Sequence, residues 1–302
     1  MSHLDLFPGW EKIEAYPMSS EELDAAFEEV MTRSRALESY LSRERVLRRR
    51  KAFRIVAVAA SVCALVAIPL LSIRWARQSM AKEQVAVQYI QRSTTSGETA
   101  EVVLPDESRV VLNAQSVLIY PDQFVSGDRK VFLSGEAVFD VTASEEKPFY
   151  VQTSDLTVKV HGTHFNVKAY FDDPSVTATL SRGAISVWSN DDPQRVVELA
   201  PEQFCNWDRG TGALVKGHAN SAEAMSWENG SLCFRSESIQ GIIRAIQRRY
   251  GVQIYLTTDK YNDTRISARF IHGETVNELL SAICSVVPSM RYTSKDGAIY
   301  IR

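Results

Sequence analysis

Residues 55–73 read IVAVAASVCALVAIPLLSI and carry no charged side chain, with Arg54 and Arg74 at the two ends. A helix of about 20 such residues crosses the hydrocarbon core of a bilayer. A cleaved signal peptide would follow a short basic start, whereas about 50 residues precede this stretch. A buried helix of a soluble domain seldom runs this long without a charge. The stretch therefore predicts one transmembrane helix over residues 54–74.

The orientation of this helix follows from its basic neighbours, because cytoplasmic loops carry the excess of Lys and Arg. Basic residues are dense before the helix (Arg43, Arg45, Arg48, Arg49, Arg50, Lys51, Arg54) and sparse after it (Arg74, Arg77, Lys82). The N-terminus is therefore predicted to be cytoplasmic and the C-terminal part to be exported. In a bacterium with two membranes, this means the inner membrane and the periplasm. The basic run over residues 43–51 is interpreted as a topology anchor and lipid-headgroup contact.

Residues 1–53 predict a short helical region. Ser19 and Ser20 followed by acidic residues are typical of a helix start. An apolar stripe then recurs at steps of three and four, with Leu23, Phe27, Val30, Met31, Leu37 and Leu41. So short a region cannot bury this stripe in a core of its own size. A miniature bundle, a homodimeric coil and a helical clamp for a cytoplasmic partner all remain open.

After a linker over residues 75–96, the hydrophobic period changes to two. Alternating residues such as Val158, Val160, Phe165 and Val167 are predicted to point inward, as are Ala169 and Phe171. A second run places Val176, Ala178, Leu180, Ile185 and Val187 on the inner face. Turn signals recur between such runs, and the pairs Asp172–Asp173 and Asp191–Asp192 are interpreted as solvated turns. The pattern predicts an all-β domain, a sandwich or roll, over residues 97–227.

The last part, residues 228–302, predicts a small α+β domain. One helix has Ile239, Ile242, Ile243, Ile246 and Tyr250 on one face and ends at Gly251. A second helix, ETVNELLSAICSVV, stops before Pro288. With the strands around them the order is β-α-β-β-α-β-β, which we interpret as a βαβ unit used twice. The chain as a whole is thus predicted to be multi-domain, with helical, transmembrane, all-β and α+β parts.

The cysteines give no metal-binding pattern. Cys63 lies in the predicted membrane helix, and Cys205, Cys233 and Cys284 have neither CxxC nor zinc-type spacing. A disulfide between Cys205 and Cys233 is possible in an oxidising compartment. Three buried thiols are the simpler interpretation.

Several motifs of the exported part occur together and in a fixed order. VVLPDESRVVLNAQSVLIYP and RKVFLSGEAVFDV come first, followed by PFYVQT, VHGTHFNVKAY, TATLSRGAISV and WENGSLCF. This series resembles the FecR-type transmembrane anti-sigma factors, including the C-terminal domain of Bacteroidota-type members. The chain departs from the family pattern in three places. Glu107 replaces a usual Gly, Arg182 replaces an acidic residue, and the Gly that usually follows Pro201 is absent.

The resemblance implies a signal relay. Residues 1–53 would hold an extracytoplasmic-function (ECF) sigma factor, with the apolar stripe as the binding surface. The C-terminal domain would receive a signal from a TonB-dependent outer-membrane transporter. Such a protein is not an enzyme, needs no cofactor, and has interfaces rather than a catalytic centre. The alternative is a membrane-anchored periplasmic binding module, for example for glycan, without coupling to a sigma factor.

The residues that could carry chemistry are few. His161 and His164 lack a nearby Cys or acidic partner, so no metal site is predicted. Some FecR-type proteins cleave themselves at a Gly-Thr bond, which here corresponds to Gly162–Thr163, where the Thr hydroxyl would attack the Gly carbonyl. The plain alternative is a tight β-bend at Gly162. No nucleophile elbow, phosphate-binding loop or HExxH motif occurs, and a net charge of −3 gives no excess for nucleic-acid binding.

Overall fold

The computed structural model describes residues 87–125 and 127–302, together with the isolated residues Thr32 and Ile68. The chain divides into two compact units, Met1–Gln84 and Val85–Arg302. The predicted sigma-binding region, the transmembrane helix and most of the linker lie outside the described residues and stay predictions. Among the described residues, no helix is both long and apolar enough to cross a membrane.

A β-sandwich forms the first part of the second unit, as the period-two pattern predicts. Its strands are β1 (Tyr89–Ser93), β2 (Ala100–Val103), β3 (Arg109–Leu112), β4 (Val117–Pro121), β5 (Arg129–Asp140), β6 (Phe149–Gln152), β7 (Leu156–Val160), β8 (His164–Ala169), β9 (Ser175–Arg182), β10 (Ile185–Ser189), β11 (Asp192–Leu199), β12 (Gln203–Asp208) and β13 (Ala213–His218). The first sheet has the order β1-β4-β5-β6-β7-β10-β11, and the second β2-β3-β5-β8-β9-β12-β13. Strand β1 lies within the segment predicted as a linker, because YIQRS has too little apolar alternation to signal a strand.

The long strand β5 belongs to both sheets and joins them. Its first half pairs with β4 and β6, and its second half, from Gly135, pairs with β3 and β8. Gly135 has a φ of 108° at the crossing point, and a Cβ there would lie 2.4 Å from Ser116 Oγ. Only glycine meets both requirements without strain. This corner lets one strand run through both layers of the sandwich.

The core lies between the two sheets. Phe139 and Phe165 stack at its centre with ring centroids 5.1 Å apart. The residues predicted to alternate inward are buried: Val158, Val160, Phe165, Val167, Ala169, Val176, Ala178, Leu180, Ile185 and Val187. Phe171 is the exception, with 85% of its surface exposed, because β8 ends at Ala169 and the alternation ends with it.

Two of the three departures from the family pattern lie in turns with a strained backbone. Glu107 has a φ of 67° and Glu202, which follows Pro201, a φ of 62°. Both are in the left-handed region that glycine occupies without cost. The third, Arg182, forms an exposed ion pair with Asp140 at 3.0 Å.

The C-terminal domain follows a short connecting segment that contains helix α1 (Ser221–Ala224) and a 3-10 turn (Ser226–Asn229). Its elements are β14 (Leu232–Ser238), α2 (Ile239–Tyr250), β15 (Gln253–Leu256), β16 (Arg265–Phe270), α3 (Val276–Val286), β17 (Tyr292–Lys295) and β18 (Ala298–Ile301). The Ser238 side chain caps α2, and Gly251 ends it in the left-handed conformation. Thr275 and Glu278 form a capping box at the start of α3.

The predicted element order of this domain is confirmed, but its sheet arrangement is not. Strands β14 and β16 form an antiparallel pair, whereas β15, β18 and β17 form a separate sheet. The strands before and after each helix therefore lie in different sheets. Since a βαβ unit has both of its strands in one sheet, the prediction of repeated βαβ units is wrong. Element order alone does not reveal strand partners, and the two helices fill the space between the sheets with Ile242, Ile246 and Leu279.

The three described cysteines are free thiols, and the Cys205–Cys233 disulfide is absent. Cys205 is fully buried, and burial raises the pKa of its thiol to about 11. Cys233 and Cys284 are only partly buried, so the expectation of three buried thiols holds for Cys205 alone.

Candidate functional site

The junction between the sandwich and the C-terminal domain is held by a buried group of charges. Asp173 Oδ1 lies 2.8 Å from both Arg248 Nη2 and Arg244 Nε, and Asp173 Oδ2 lies 3.5 Å from Lys168 Nζ. Arg248 also pairs with Asp172 at 2.5 Å. The side chains of Asp173 and Arg248 are each only 6% exposed. We call these five residues the junction ion cluster.

Local structure explains this cluster. Asp172 and Asp173 lie in the turn after β8, while Arg244 and Arg248 are four residues apart on α2 and so share one face of the helix. The prediction of a solvated turn is therefore wrong for Asp173, since the C-terminal domain covers it. The feature of the sequence that could have indicated this cluster is the pair of arginines, four residues apart, on the polar side of the amphipathic helix α2.

The charges set the protonation state of Asp173. Burial alone would raise its pKa. The hydrogen bonds from Arg248 and Arg244 and the positive charge of Lys168 outweigh burial and hold the pKa at about 2. Asp173 is therefore ionised at neutral pH, as the cluster requires.

Arg248 makes two further contacts with the sandwich. Its guanidinium lies over the Tyr170 ring, 3.7 Å from the centroid. The Tyr170 hydroxyl donates to the carbonyl oxygen of Ala114 at 2.8 Å, and burial raises the pKa of that hydroxyl above its usual range. The carbonyl of Arg248 accepts from the amide of Gly97 at 2.9 Å. Helix α2 thus contacts the loop between β1 and β2, near the start of the sandwich.

A second buried carboxyl group, Glu136 on β5, lies on the outer face of the second sheet. Its oxygens accept hydrogen bonds from Asn113 at 2.9 Å and Asn166 at 3.0 Å. Burial raises the pKa of Glu136, and the charge of Lys168 and the two amide hydrogen bonds oppose that rise. Neither Glu136 nor its partners stand out in the sequence as site residues.

The Gly162–Thr163 bond lies in the bend between β7 and β8. Thr163 is buried, and its hydroxyl donates to the carbonyl oxygen of Ala184 at 3.0 Å. The neighbouring turn is tight, since a Cβ on Gly183 would lie 2.8 Å from both Gly162 O and Thr163 Oγ1. Self-cleavage at this bond stays a prediction.

The two flanking histidines do not converge. His161 Nδ1 lies 3.3 Å from the carbonyl oxygen of Ser144, and His164 Nδ1 lies 3.9 Å from Asp140. Burial lowers the pKa of His164, and the charge of Asp140 opposes this. Within residues 87–125 and 127–302, no group of three possible ligands could hold a metal ion.

Comparison with known proteins identifies the family. A family model described as FecR protein matches residues 91–186, and one described as FecR, C-terminal matches residues 231–301. This chain belongs to the FecR family. The resemblance inferred from the motifs is thereby confirmed, over both the sandwich and the C-terminal domain. No curated protein matches the chain.

Solved structures agree with the family assignment. Two crystal structures of a protein assigned as an anti-sigma factor from Parabacteroides distasonis ATCC 8503, at 1.65 and 2.50 Å resolution, are each 31% identical in sequence with a TM-score of 0.67. The alignments cover 70% and 71% of this chain and 98% of the other chain in both cases. The crystallised protein thus corresponds to the sandwich and C-terminal domain of this FecR-family chain.

Proposed function

We propose that this FecR-family protein is an anti-sigma regulator, which holds an ECF sigma factor at the inner membrane. Residues 1–53 would bind the sigma factor, residues 54–74 would span the membrane, and the second unit would lie in the periplasm. The observation that carries the proposal is the FecR match over both domains, supported by the 31% identity to a protein assigned as an anti-sigma factor.

The signal would come from a TonB-dependent outer-membrane transporter. Its signalling domain would dock on the C-terminal domain, whose three-stranded sheet has an exposed outer face. Tyr255 is 48% exposed and stacks on Tyr300, with ring centroids 5.5 Å apart. Tyr255 lies on β15, an edge strand of this sheet, and the unpaired backbone groups of an edge strand can accept a partner strand.

The junction ion cluster would carry the signal onward. A partner that shifts α2 changes both the Arg248–Asp173 contact and the hydrogen bond from Gly97 to the end of that helix. Gly97 follows β1, the first strand after the predicted transmembrane helix. The cluster therefore offers a physical route from the receiving domain towards the membrane.

A transcription reporter in the native host tests the sigma-binding part of this proposal. Phe27→Asp places a charge in the apolar stripe and is expected to shift sigma-dependent transcription away from the wild-type level. Glu29→Gln, on the opposite side of the predicted helix, is the matched control. Unchanged transcription with Phe27→Asp, at equal protein level, contradicts the proposal and favours the anchored binding module.

The receiving surface is tested separately. Tyr255→Asp is expected to abolish induction by the transporter while leaving uninduced transcription unchanged. Val215→Asp on the sandwich is the control, since Val215 is similarly exposed at 53%. Normal induction with Tyr255→Asp would exclude this face as the docking surface.

A further inference from the structure

Phe171 is the most exposed large apolar side chain among the described residues of the sandwich and the C-terminal domain, with 85% of its surface open to solvent. It lies in the turn between β8 and β9, which also carries Asp172 and Asp173 of the junction ion cluster. A few residues supply most of the binding energy of a protein interface, and aromatic side chains are prominent among them. Phe171 can act in this way only if its turn holds it in place.

The backbone around Phe171 is held by one side chain, Arg209, from the turn after β12. Its Nη1 donates to the carbonyl oxygens of Tyr170, Phe171 and Asp173 at 2.7, 2.9 and 2.6 Å. Asp155 holds the guanidinium from the other side, with its Oδ2 2.8 Å from Arg209 Nη2. Phe171 is therefore presented on a pre-formed turn, and little backbone entropy would be lost when a partner covers it.

This turn lies at the end of the sandwich opposite to the start of β1. Strand β1 is antiparallel to β4, β4 is antiparallel to β5, and β6 is parallel to β5, so β1, β5 and β6 run in one direction. Tyr89 begins β1, whereas Asp155 lies in the turn that follows β6. Because Arg209 joins Asp155 to the turn of Phe171, a partner at Phe171 meets the sandwich at the end away from Tyr89.

The surroundings of Phe171 are acidic. The side chain of its neighbour Asp172 is 46% exposed. The turn after β10 carries Asp191–Asp192, both exposed, and adjoins the turn of Asp155 through a backbone hydrogen bond of 2.8 Å. The nearby Arg209 is already paired with Asp155. Charge complementarity therefore favours a partner that has basic side chains around an apolar pocket.

We propose that Phe171 anchors the signalling domain of the transporter to the sandwich, by entering an apolar pocket of that domain with basic side chains at its rim. The inference rests on the proposed function, in which this domain is the periplasmic partner, and it adds a second contact to the Tyr255 face. A partner at Phe171 also contacts the turn of Asp172, which pairs with Arg248 on α2. Docking there acts directly on the junction ion cluster.

Photo-crosslinking of the full-length chain in its native host tests which partner meets Phe171. The photoreactive residue p-benzoylphenylalanine replaces Phe171, Tyr255 or, as the control at the other end of the sandwich, Tyr89, which is 72% exposed. We expect the probes at Phe171 and Tyr255 to crosslink to the signalling domain of a TonB-dependent transporter, and the probe at Tyr89 not to.

The outcomes separate this inference from the function on which it rests. A transporter crosslink from Tyr255 but not from Phe171 keeps the proposed function and overturns the Phe171 anchor. No transporter crosslink from either position overturns both the anchor and the proposed transporter partner. A crosslink from Phe171 only to a second copy of this chain makes the turn a self-association contact and also overturns the proposal.

The variant Phe171→Ala measures the contribution of the anchor. Its side chain is exposed in the free protein, so the variant should fold as wild type does. The crosslinked signalling domain, purified and fluorescently labelled, is titrated with the full-length chain in detergent. Binding should weaken about 30-fold with Phe171→Ala, as for loss of an interface anchor, and stay unchanged with Tyr89→Ala. Added salt should also weaken wild-type binding, because the facing rims carry opposite charges. Equal affinity of Phe171→Ala and wild type overturns the anchor, and binding that salt leaves unchanged overturns the basic rim.

Discussion

Replacing Arg248 by Met tests whether the junction ion cluster holds the sandwich and the C-terminal domain together. The variant keeps much of the side-chain bulk but removes the guanidinium that contacts Asp172, Asp173 and the Tyr170 ring. Breaking a buried ion pair by removing one partner costs about 3–5 kcal/mol. Asp173 keeps Arg244 and Lys168, so we expect the lower end, about 3 kcal/mol.

Urea unfolding of residues 85–302, followed by circular dichroism, measures this cost. With an m-value of about 2 kcal/mol/M, the midpoint should fall by about 1.5 M. The control is Arg182→Met, which breaks the Arg182–Asp140 pair on side chains that are 75% and 51% exposed. An exposed pair contributes about 0–1 kcal/mol, so its midpoint should barely move. Equal midpoints for the two variants would refute the claim that the junction is energetically important.

The pH dependence gives a second check on the same pair. The pKa of Asp173 in the folded protein, about 2, lies below the ordinary aspartate value of 3.8. The stabilisation that ionised Asp173 contributes is therefore complete above the pKa of the unfolded state, and it is lost as the pH falls through the pKa of the folded state. The shift corresponds to about 2 kcal/mol. The difference in unfolding free energy between wild type and Arg248→Met should become smaller as the pH falls from about 4 towards about 2. A difference that does not change with pH would contradict the low pKa of Asp173.

Four further predictions concern single substitutions. Glu107→Gly should stabilise the chain by about 0.5–1 kcal/mol in urea unfolding, because it relieves a left-handed residue at the entropic cost of one glycine. Glu202→Gly should gain less stability than Glu107→Gly, or lose stability, because Glu202 accepts hydrogen bonds from Ser221 that glycine cannot replace. Equal gains for the two variants would contradict this. Glu136→Gln should gain stability relative to wild type as the pH rises above about 4.3. The reason is that the pKa of Glu136 is raised in the folded state, so wild type loses stability with rising pH whereas the amide does not. A difference in unfolding free energy that does not change with pH would contradict the burial of that carboxyl. If the Gly162–Thr163 bond cleaves itself, a denaturing gel should show two fragments of the protein, and Thr163→Ala should leave one intact chain. A single intact chain in both proteins would count against cleavage.

The sequence predicts most of the fold because alternation is a local signal. Val158, Phe165 and Leu180 are fully buried in the sandwich as their spacing requires, and the seven elements of the C-terminal domain occur in the predicted order. The pattern fails where an element ends. Phe171 continues the alternation in the sequence, but strand β8 ends at Ala169, and Tyr170 is buried instead of Phe171.

The candidate site was much less predictable, because its contacts join residues far apart in the chain. Asp173 looks like an ordinary turn residue, and only the docking of α2 more than 70 positions later buries it. Glu136 and Asn166 alternate outward from the sandwich core, which in the sequence indicates solvent. The C-terminal domain covers that face, and no local pattern indicates which side of a sheet a following domain will cover.

Capture of a sigma factor by the full-length protein tests the central claim most directly. The tagged chain would be purified in detergent from its native host, and bound proteins identified by mass spectrometry. An ECF sigma factor in a stoichiometric complex, lost with Phe27→Asp and kept with Glu29→Gln, is the predicted result. A folded full-length protein that captures no sigma factor would contradict the anti-sigma function.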